Sequence, residues 1–225
     1  MESSIDIDKA LNVAELRGRF LKHTRQAYKL LPALKQPRIM DIGCGQGQQT
    51  IELARLSKGE VVGIDIDEAA LTCLRQRIEQ SNFGDRVSCL HVSLFNNQFD
   101  NNSFEVLWEE GVLHLLDLPR SLAECRRLLK PGGYLVMHET VLWFRSIQEK
   151  LPEFGFHHTD QHMLPKRVWW TDYGAPLERR IQAYCKIHSD IEDSQEIAEH
   201  KSVVAAIKSD PDKTACGIYL LRLGD

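Results

Sequence analysis

The sequence predicts an α/β fold in which helices cover both faces of one doubly wound, mostly parallel sheet. Short apolar runs of strand length alternate with helical patterns of ten or more residues, which is typical of parallel βαβ units. A glycine-rich loop follows the first apolar run, at the place where such folds bind their ligands. After about Trp143 the alternation changes, so the last third of the chain is expected to contain an additional helical segment.

The predicted strands are the short apolar runs, and they lie at 38–42, 60–64, 86–92, 104–108, 134–139 and 216–223, with a weaker strand near 156–162. The predicted helices lie at 13–31, 50–56, 69–81, 118–129, 176–187 and 194–208, with a further helix that runs through Leu151. We expect Asp67 to cap the helix that follows it. A turn is predicted at residues 130–133, because Pro131 and the two glycines after it interrupt regular structure.

The composition fits one folded domain. The chain has 225 residues, of which 43% are hydrophobic and 27% are charged, close to the average of globular proteins. We predict a single domain over 1–225, with an N-terminal helical segment at 1–36 and a helical insertion at about 164–211 before the last strand. The formal charge of −4 and the scattered basic residues do not favour a nucleic-acid partner.

Cysteine spacing and hydropathy predict a cytoplasmic protein without a bound metal. No two of the six cysteines have CxxC spacing, so we expect reduced, mostly buried thiols and no metal site. No stretch approaches the roughly 18 apolar residues that a membrane span needs, and we expect no membrane partner. The first residues are acidic and lack the apolar segment of a secretory signal. The sequence does not indicate the oligomeric state.

The glycine loop has the pattern G-x-G-x-G, formed by Gly43, Gly45 and Gly47, and Asp41 precedes it. Dinucleotide-binding loops prefer G-x-G-x-x-G, whose third glycine position is occupied here by Gln48. Glycines allow a ligand to approach the backbone closely, and N–H groups at the start of a helix favour polar or anionic groups. An acid beside such N–H groups suits the amino-acid end of S-adenosylmethionine, which carries an ammonium and a carboxylate but no phosphate.

A second acid ends the next predicted strand. Asp65 follows Gly45 by 20 residues, the position from which a carboxylate accepts ribose hydroxyls in dinucleotide folds. Because NAD and S-adenosylmethionine both contain adenosine ribose, Asp65 does not distinguish them. The glycine spacing favours S-adenosylmethionine.

Five blocks of the sequence, taken together, carry a family resemblance, and they are 39–50, 62–67, 86–95, 102–117 and 128–139. In these blocks, which span roughly residues 25 to 145, the chain resembles the class I S-adenosylmethionine-dependent methyltransferases in order and spacing. It is similar to small-molecule members of the methyltransferase-11/25-like type, and to a subgroup of unknown substrate with a Glu-Gly pair, here Glu110 and Gly111. The resemblance implies a Rossmann-like sheet with an antiparallel last strand.

The resemblance also implies which residues contact the cofactor. The methionine part should lie near the loop, at Asp41, Gly43, Cys44 and Gly45. The ribose and adenine should lie near the ends of the next two strands, at Asp65, Ile66, Ser93 and Leu94. Glu109 and Glu110 should lie beside the methionine part and the reactive methyl. The family often has an acid where this chain has Ser93, so the hydrogen bond to adenine lacks charge assistance here.

Methyl transfer from a sulfonium is a one-step in-line displacement, to which a protein contributes chiefly orientation. Glu110 is the first catalytic candidate, for the ligand ammonium or for the acceptor, although both glutamates could simply face solvent. His114 and His138 are candidates for a general base, which is needed only if the acceptor carries a proton to be removed. A structural role is the alternative for both histidines.

An aromatic stretch in the predicted insertion is a candidate for contact with the acceptor. Trp169, Trp170 and Tyr173 are expected to form a lid, because insertions before the last strand lie near the carboxyl edge of such sheets. Plain packing of the insertion is the alternative.

The sequence thus predicts an S-adenosylmethionine-dependent methyltransferase that acts on a small molecule. A non-catalytic protein that binds S-adenosylmethionine is one alternative, favoured by Ser93. An NAD(P)-dependent oxidoreductase is disfavoured by the glycine spacing and by the lack of a Tyr-x-x-x-Lys pair. The Asn-Pro-Pro-Tyr motif of amino-group methylation in nucleic acids is absent after the fourth strand.

Overall fold

The computed structural model describes residues 7–210 and 213–224, except for the side chain of residue 190. Within them a seven-stranded sheet has the order β3-β2-β1-β4-β5-β7-β6. The strands are β1 Arg38–Ile42, β2 Glu60–Asp65, β3 Val87–His91, β4 Phe104–Glu110, β5 Leu129–Thr140, β6 Phe156–Met163 and β7 Cys216–Leu223. The first five strands pair in parallel, and β7 is antiparallel to both β5 and β6. The predicted α/β class and its antiparallel last strand are confirmed.

The helices follow the predicted alternation up to β5. They are α1 Ile7–Ala10, α2 Val13–Gly18, α3 Leu21–Tyr28, α4 Gln48–Ser57, α5 Glu68–Glu79, α6 Leu118–Leu128, α7 Val141–Ile147, α8 Ala175–Ile187 and α9 Gln195–Ser209. Short 3₁₀ helices lie at Leu113–Leu115, Gln148–Phe154 and Ser189–Ile191, and a π-helix lies at Trp169–Gly174.

The described residues group into two compact units, each formed by two chain segments. The sheet unit contains residues 23–163 and 216–224, and therefore the whole sheet. The helical unit contains residues 7–22 together with 164–210 and 213–215, so it includes the predicted insertion. The predicted end of the insertion at residue 211 lies outside the described residues. A single domain over the whole chain stays a prediction.

The single helix predicted at 13–31 was wrong, because the chain forms α2 and α3 there with a tight turn between them. The N–H groups of Arg19 and Phe20 donate to the carbonyls of Leu16 and Arg17, at 3.2 and 3.0 Å, in the i→i+3 pattern of a 3₁₀ turn. Gly18 ends α2, and glycine is among the weakest helix formers. The periodic apolar pattern predicted the buried face and missed this break.

The turn predicted at residues 130–133 lies inside β5 as an irregularity of the strand. In the pairing with β4, Leu129 faces Phe104 and Tyr134 faces Val106. Four residues of β5 therefore stand opposite Glu105 alone, and Gly132 has a φ of 72°. The Pro-Gly-Gly signal was correct about local bending, but pairing with β4 resumes immediately after it.

Candidate active site at the carboxyl edge of the sheet

The site residues of the sheet unit come together because parallel strands end at the same edge. Asp41 lies near the end of β1, Asp65 ends β2, Glu110 ends β4 and His138 lies near the end of β5. Register places Glu110 directly beside His138, and Ile42 beside Glu109. Open α/β sheets bind ligands in the crevice outside this edge.

The glycine loop needs glycine for two separate reasons. Gly43, Gly45 and Gly47 all have positive φ angles, of 66°, 50° and 80°. A Cβ on Gly43 would lie 2.4 Å from Val112, and a Cβ on Gly47 would lie 2.2 Å from Leu74. A Cβ on Gly45 would meet no atom within 4 Å. Gly43 and Gly47 therefore allow packing of the protein itself, whereas the backbone at Gly45 is open to a ligand.

Most N–H groups of this loop already have partners within the protein. Those of Gly43 and Cys44 donate to the carbonyl of Ile64, at 2.8 and 3.0 Å. That of Gly45 donates to Oδ2 of Asp65 at 2.7 Å. These three groups fix the loop against β2, and the expectation that N–H groups at the start of the next helix favour an anionic ligand group stays a prediction.

Asp65 has acceptor capacity left for a ligand. Its Oδ2 accepts the N–H of Gly45, and its Oδ1 accepts the N–H of Asp67 at 2.9 Å. A carboxylate offers about four acceptor sites, so roughly two remain, one for each hydroxyl of a ribose. The cap of α5 is Asp67 as predicted, since its Oδ1 accepts the N–H groups of Ala69 and Ala70 at 2.9 and 3.2 Å.

The residues predicted to contact adenine differ in exposure. Ile66 is 73% exposed, and its carbonyl oxygen lies 2.9 Å from Nε2 of His91. The Ser93 hydroxyl accepts the N–H of Phe95 at 2.9 Å and keeps its own proton to donate. Leu94 is 4% exposed and packs into the core. The Leu94 side chain is therefore part of the core, and this residue can offer a ligand only its backbone.

Asp41 is buried behind the loop. Its Oδ2 accepts a 2.6 Å hydrogen bond from the Thr50 hydroxyl, which ties β1 to α4. Burial raises the pKa of Asp41 to about 7, with smaller upward contributions from Glu110 and Asp65 and a downward one from the Thr50 hydrogen bond. Near neutral pH this carboxyl group is therefore only partly ionised, and it carries less than a full charge toward a ligand ammonium.

Glu110 is held by four side chains. Its Oε1 accepts hydrogen bonds from Thr24 and Trp108, both at 3.0 Å. Its Oε2 accepts one from the Gln49 amide at 3.0 Å and lies 3.5 Å from Nδ1 of His138. Burial alone would raise the pKa of Glu110, but His138, Trp108 and Thr24 outweigh it and lower that pKa. Glu110 is therefore an ionised, fixed anion and does not face solvent.

His138 is the cationic partner of Glu110. Its Nε2 lies 3.4 Å from Sγ of Cys216. Burial alone would lower the pKa of His138, but the contacts with Cys216 and Glu110 outweigh it and raise that pKa to about 10. His138 is buried between Glu110 and Cys216, and these contacts support the structural alternative to a general base.

Glu109 lies on the opposite face of β4 from Glu110 and is completely buried. Its Oε2 accepts the N–H groups of Val112 and Leu113, at 2.9 and 3.3 Å. Burial, followed by the neighbouring Glu139, raises the pKa of Glu109 well above its usual range. The expectation that Glu109 lies beside the ligand is therefore not supported, because its side chain anchors the turn after β4.

His114 is the more exposed histidine of the two base candidates. Its side chain is 39% exposed, and its Nδ1 lies 3.0 Å from the carboxylate of Glu139, which is 3% exposed as a residue. The His114 backbone N–H donates to the same carboxylate at 3.3 Å. The ring edge of His114 meets Trp143, with centroids 6.3 Å apart. His114 and Glu139 therefore form a histidine–carboxylate pair at the edge of the sheet.

The predicted lid residues pack within the helical unit. Trp169 contacts the rings of Phe20 and Tyr173, with centroids 4.5 and 5.8 Å away, and Tyr173 is 4% exposed. Lys208 lies over the ring of Trp170 at 5.4 Å. This is the packing that the sequence left open as the alternative for Trp169 and Tyr173. The lid itself stays a prediction.

Sequence reasoning missed four residues of the site: Thr24, Gln49, Thr50 and Glu139. The first three are ordinary polar residues of α3 and α4, and no sequence signal marks them. Glu139 ended a predicted strand at the carboxyl edge, as Asp65 does, and could have been found by the same rule. All six cysteines are free thiols, and four are buried, as expected. Within the described residues no cluster of three or more His, Cys, Asp or Glu side chains has the arrangement of a metal site.

Residues 40–137 match a protein family described as a methyltransferase domain. The matched region contains the glycine loop, Asp65, both glutamates of β4 and His114. Residues 40–137 form a class I S-adenosylmethionine-dependent methyltransferase domain. Among the residues that the structure describes, no helix is both long and apolar enough to cross a membrane.

The methyltransferase domain has both curated relatives and structural neighbours. The 27-O-demethylrifamycin SV methyltransferase of Amycolatopsis mediterranei is 30% identical over 114 residues, which cover 50% of this chain and 42% of that protein. The chain spans only 25% to 57% of the length of the four curated relatives compared.

Two solved structures share the fold. A Geobacter sulfurreducens methyltransferase in complex with S-adenosyl-L-homocysteine has a TM-score of 0.66 at 17% identity, covering 91% of this chain and 90% of its own. The [4+2]-cyclase SpnF has a TM-score of 0.75 at 20% identity, covering 92% and 81%. At these identities the structural likeness shows the fold alone, and a cyclase among the neighbours means that the fold does not fix the reaction.

Proposed function

We propose that this chain binds S-adenosylmethionine in the sheet unit and transfers its methyl group to a small molecule by direct in-line displacement. The observation that carries the proposal is the pairing of an open backbone at Gly45 with the remaining acceptor capacity of Asp65, inside a methyltransferase domain. The neighbour that holds S-adenosyl-L-homocysteine and the relative named for rifamycin methylation support the same cofactor and acceptor class.

The described residues fit this cofactor. Asp65 can accept the two ribose hydroxyls while it keeps the loop in place. The exposed Ile66 offers an apolar surface to adenine, and Ser93 offers a hydroxyl donor. A Cβ at Gly45 would project into open space, so a ligand can lie directly against this part of the loop.

Glu110 supplies a carboxylate beside the start of α4, where it accepts a hydrogen bond from Gln49. Its acceptor sites are occupied in the free protein, and the Gln49 amide is the donor on a flexible side chain. We expect this amide to move aside for the ligand ammonium, whereas Trp108 and the buried His138 keep the carboxylate in position. The ion pair with His138 holds Glu110 ionised in this buried position.

S-adenosylmethionine, when bound, supplies a methyl group on a positively charged sulfur. The protein must then hold donor and acceptor in line, and orientation of this kind supplies several kcal/mol of the barrier. Fixing the sugar through Asp65 and the amino-acid end near Glu110 determines where the sulfur lies between them. The rigid edge of β1, β2 and β4 thus orients the reacting methyl.

Calorimetry tests the cofactor part of the proposal. We expect the wild-type protein to bind S-adenosylhomocysteine and not NAD. The Asp65→Asn variant should bind S-adenosylhomocysteine about 10- to 100-fold more weakly, because hydrogen bonds to a charged group contribute about 1.5–3 kcal/mol. Asp67→Asn is the matched control: asparagine caps helices as well as aspartate does, so its affinity should stay near wild type.

Absence of heat with S-adenosylhomocysteine in the wild-type protein, or an unchanged Kd in Asp65→Asn, would contradict the cofactor assignment. Transfer itself is tested separately, with S-adenosylmethionine labelled in its methyl group and a panel of small hydroxyl, amine and thiol compounds. Labelled product supports the enzyme. Binding without transfer to any compound would favour the non-catalytic alternative.

A further inference from the structure

We propose that His114 is the general base that removes the proton of a hydroxyl acceptor, and that Glu139 is the residue that positions it. The inference rests on the proposed function and names the acceptor class: a hydroxyl group on an apolar molecule. It is carried by the geometry of the His114–Glu139 pair, by the exposure of His114 and by two exposed leucines that adjoin the His114–Trp143 contact in the chain.

The pair fixes which nitrogen of His114 is free. Nδ1 lies 3.0 Å from the Glu139 carboxylate. An ionised carboxylate accepts hydrogen bonds and donates none. The neutral imidazole therefore carries its proton on Nδ1 and presents a lone pair on Nε2. Within the described residues, Nε2 makes no hydrogen bond, and the side chain is 39% exposed. This is the orientation that a buried carboxylate gives to a catalytic histidine.

A second buried acid, Glu109, interacts with Glu139. Glu109 and Glu139 influence each other as like charges, and both pKa values are raised first by burial. Oε1 of Glu109 has no hydrogen-bond partner in the described part of the chain, which fits a protonated acid. Glu139 is the one of the two that faces His114, and its contacts with His114 lower its pKa against the effect of burial.

The backbone that carries His114 is also fixed. Glu109 binds the N–H groups of Val112 and Leu113, and Glu139 binds that of His114. Glu139 itself lies in β5, in register with Gly217 of β7. Side chains of two neighbouring strands, β4 and β5, thus hold the backbone around His114 in place. A catalytic base needs such fixed placement.

Two exposed leucines adjoin the His114–Trp143 contact in the chain. Leu115 and Leu142 are 73% and 57% exposed, and each is the chain neighbour of a residue in the His114–Trp143 contact. Ligand sites of small molecules combine such apolar surface with a few placed polar groups. An apolar molecule that carries a phenol or alcohol matches this combination.

The step balances without a further reagent. The acceptor oxygen forms a bond to the methyl carbon while its proton passes to Nε2 of His114. The carbon–sulfur bond breaks, and its electron pair stays on sulfur to give S-adenosylhomocysteine. The proton then leaves the half-exposed His114 to water.

The first experiment needs no acceptor. Long-range ¹⁵N–¹H spectra of the wild-type protein should show neutral His114 with its proton on Nδ1. In Glu139→Gln the charge is lost and this preference should disappear. A wild-type His114 with its proton on Nε2 would overturn the proposal, whatever the acceptor.

The second experiment measures transfer from S-adenosylmethionine to a panel of phenols, naphthols and apolar alcohols, with thiols for comparison. On the best hydroxyl compound, His114→Gln and Glu139→Gln should lose roughly 100-fold or more in kcat, the usual contribution of a general base. Transfer to an already ionised thiolate should change little. Added imidazole should restore activity to His114→Ala, which a merely structural role would not allow.

The pH profile gives a further readout. The titratable groups that face His114 are Glu139 of β5 and, behind it, Glu109 of β4, and the charge of His138 acts on both carboxyl groups. The dependence of kcat on pH should differ between the wild-type protein and His114→Gln, because only the wild-type protein has an imidazole at this position. His157→Gln, which changes an exposed histidine of β6, is the matched control and should behave as wild type.

The failure of this inference is distinguishable from that of the proposed function. If S-adenosylhomocysteine does not bind the wild-type protein, the proposed function fails. If it binds to all variants alike but His114→Gln methylates the hydroxyl compound at the wild-type rate, only the role of His114 is overturned. Transfer to amines or thiols but to no hydroxyl compound would overturn the acceptor class.

Discussion

Two adjacent glutamates of β4 have pKa values shifted in opposite directions, because strand geometry sends neighbouring side chains to opposite faces. Glu109 enters the core and meets Glu139, so its pKa is raised. Glu110 meets His138 and three neutral donors, so its pKa is lowered. Identical residues thus serve different purposes: one anchors a turn and the other is a fixed anion at the site.

The Glu110–His138 pair makes stability depend on pH. The folded-state pKa of His138 is about 10, above its usual value of 6.5. The stabilisation is therefore complete below about pH 6.5 and is lost as the pH rises to about 10. We expect the free energy of unfolding of the wild-type protein to fall over this range by roughly 2–4 kcal/mol more than that of His138→Gln.

Urea denaturation at pH 6 to 10 measures this difference. His157→Asn serves as the control, because it removes an exposed histidine of the same unit, and it should keep the wild-type slope. Equal slopes for wild type and His138→Gln would show that His138 is not protonated in the folded protein.

At the scale of elements, the loop between β1 and α4 is fixed from both sides. Its N–H groups bind β2, and Gly47, at the start of α4, packs against Leu74 of α5. The open backbone at Gly45 lies between these fixed points. Gly47 therefore allows close packing within the protein, whereas Gly45 leaves the backbone accessible to a ligand.

Two alanine substitutions should separate these roles. Gly47→Ala should destabilise the fold by roughly 2–4 kcal/mol, because a positive φ is strained for alanine and the new methyl overpacks Leu74. Gly45→Ala should cost only about 1 kcal/mol of stability from its positive φ. Its methyl should nevertheless weaken binding of S-adenosylhomocysteine.

Thermal denaturation and calorimetry on both variants provide the check, and Gly18→Ala is the control without a clash, since a Cβ there meets no atom within 4 Å; it should not lower stability. If Gly45→Ala binds S-adenosylhomocysteine with the wild-type Kd, the ligand does not lie against Gly45 and must bind elsewhere at the carboxyl edge of the sheet.

At the scale of the whole molecule, the chain leaves the sheet unit after Met163 and returns at Cys216. Met163 and Cys216 flank the edge at which Glu139 and Thr140 lie, because Met163 pairs with Gly217 and Cys216 pairs with Thr140. The intervening residues form most of the helical unit. This connectivity is the reason to retain the predicted lid as a testable idea.

If the lid prediction is correct, Trp170→Ala should keep the affinity for S-adenosylhomocysteine and lose about tenfold or more in methyl transfer, since buried tryptophans at binding surfaces contribute strongly. Lys208→Ala is the matched control, because it removes the cation over the ring and leaves the ring in place. A folded Trp170→Ala protein with full transfer activity would leave only the packing role.

The sequence by itself determined the order of strands and helices, the glycine loop and the acid at the end of β2, because these depend on local periodicity and on backbone conformations that only glycine favours. It also identified Glu110 as a candidate from its place after a strand, and it named His114 as a candidate base. Only the tertiary structure decided which face each glutamate of β4 takes, that His138 lies between Glu110 and Cys216, and that Glu139 contacts His114. Those properties arise from burial and from partners distant in the chain, such as Thr24 and Cys216, and electrostatic energies of buried groups depend on such neighbours rather than on local sequence.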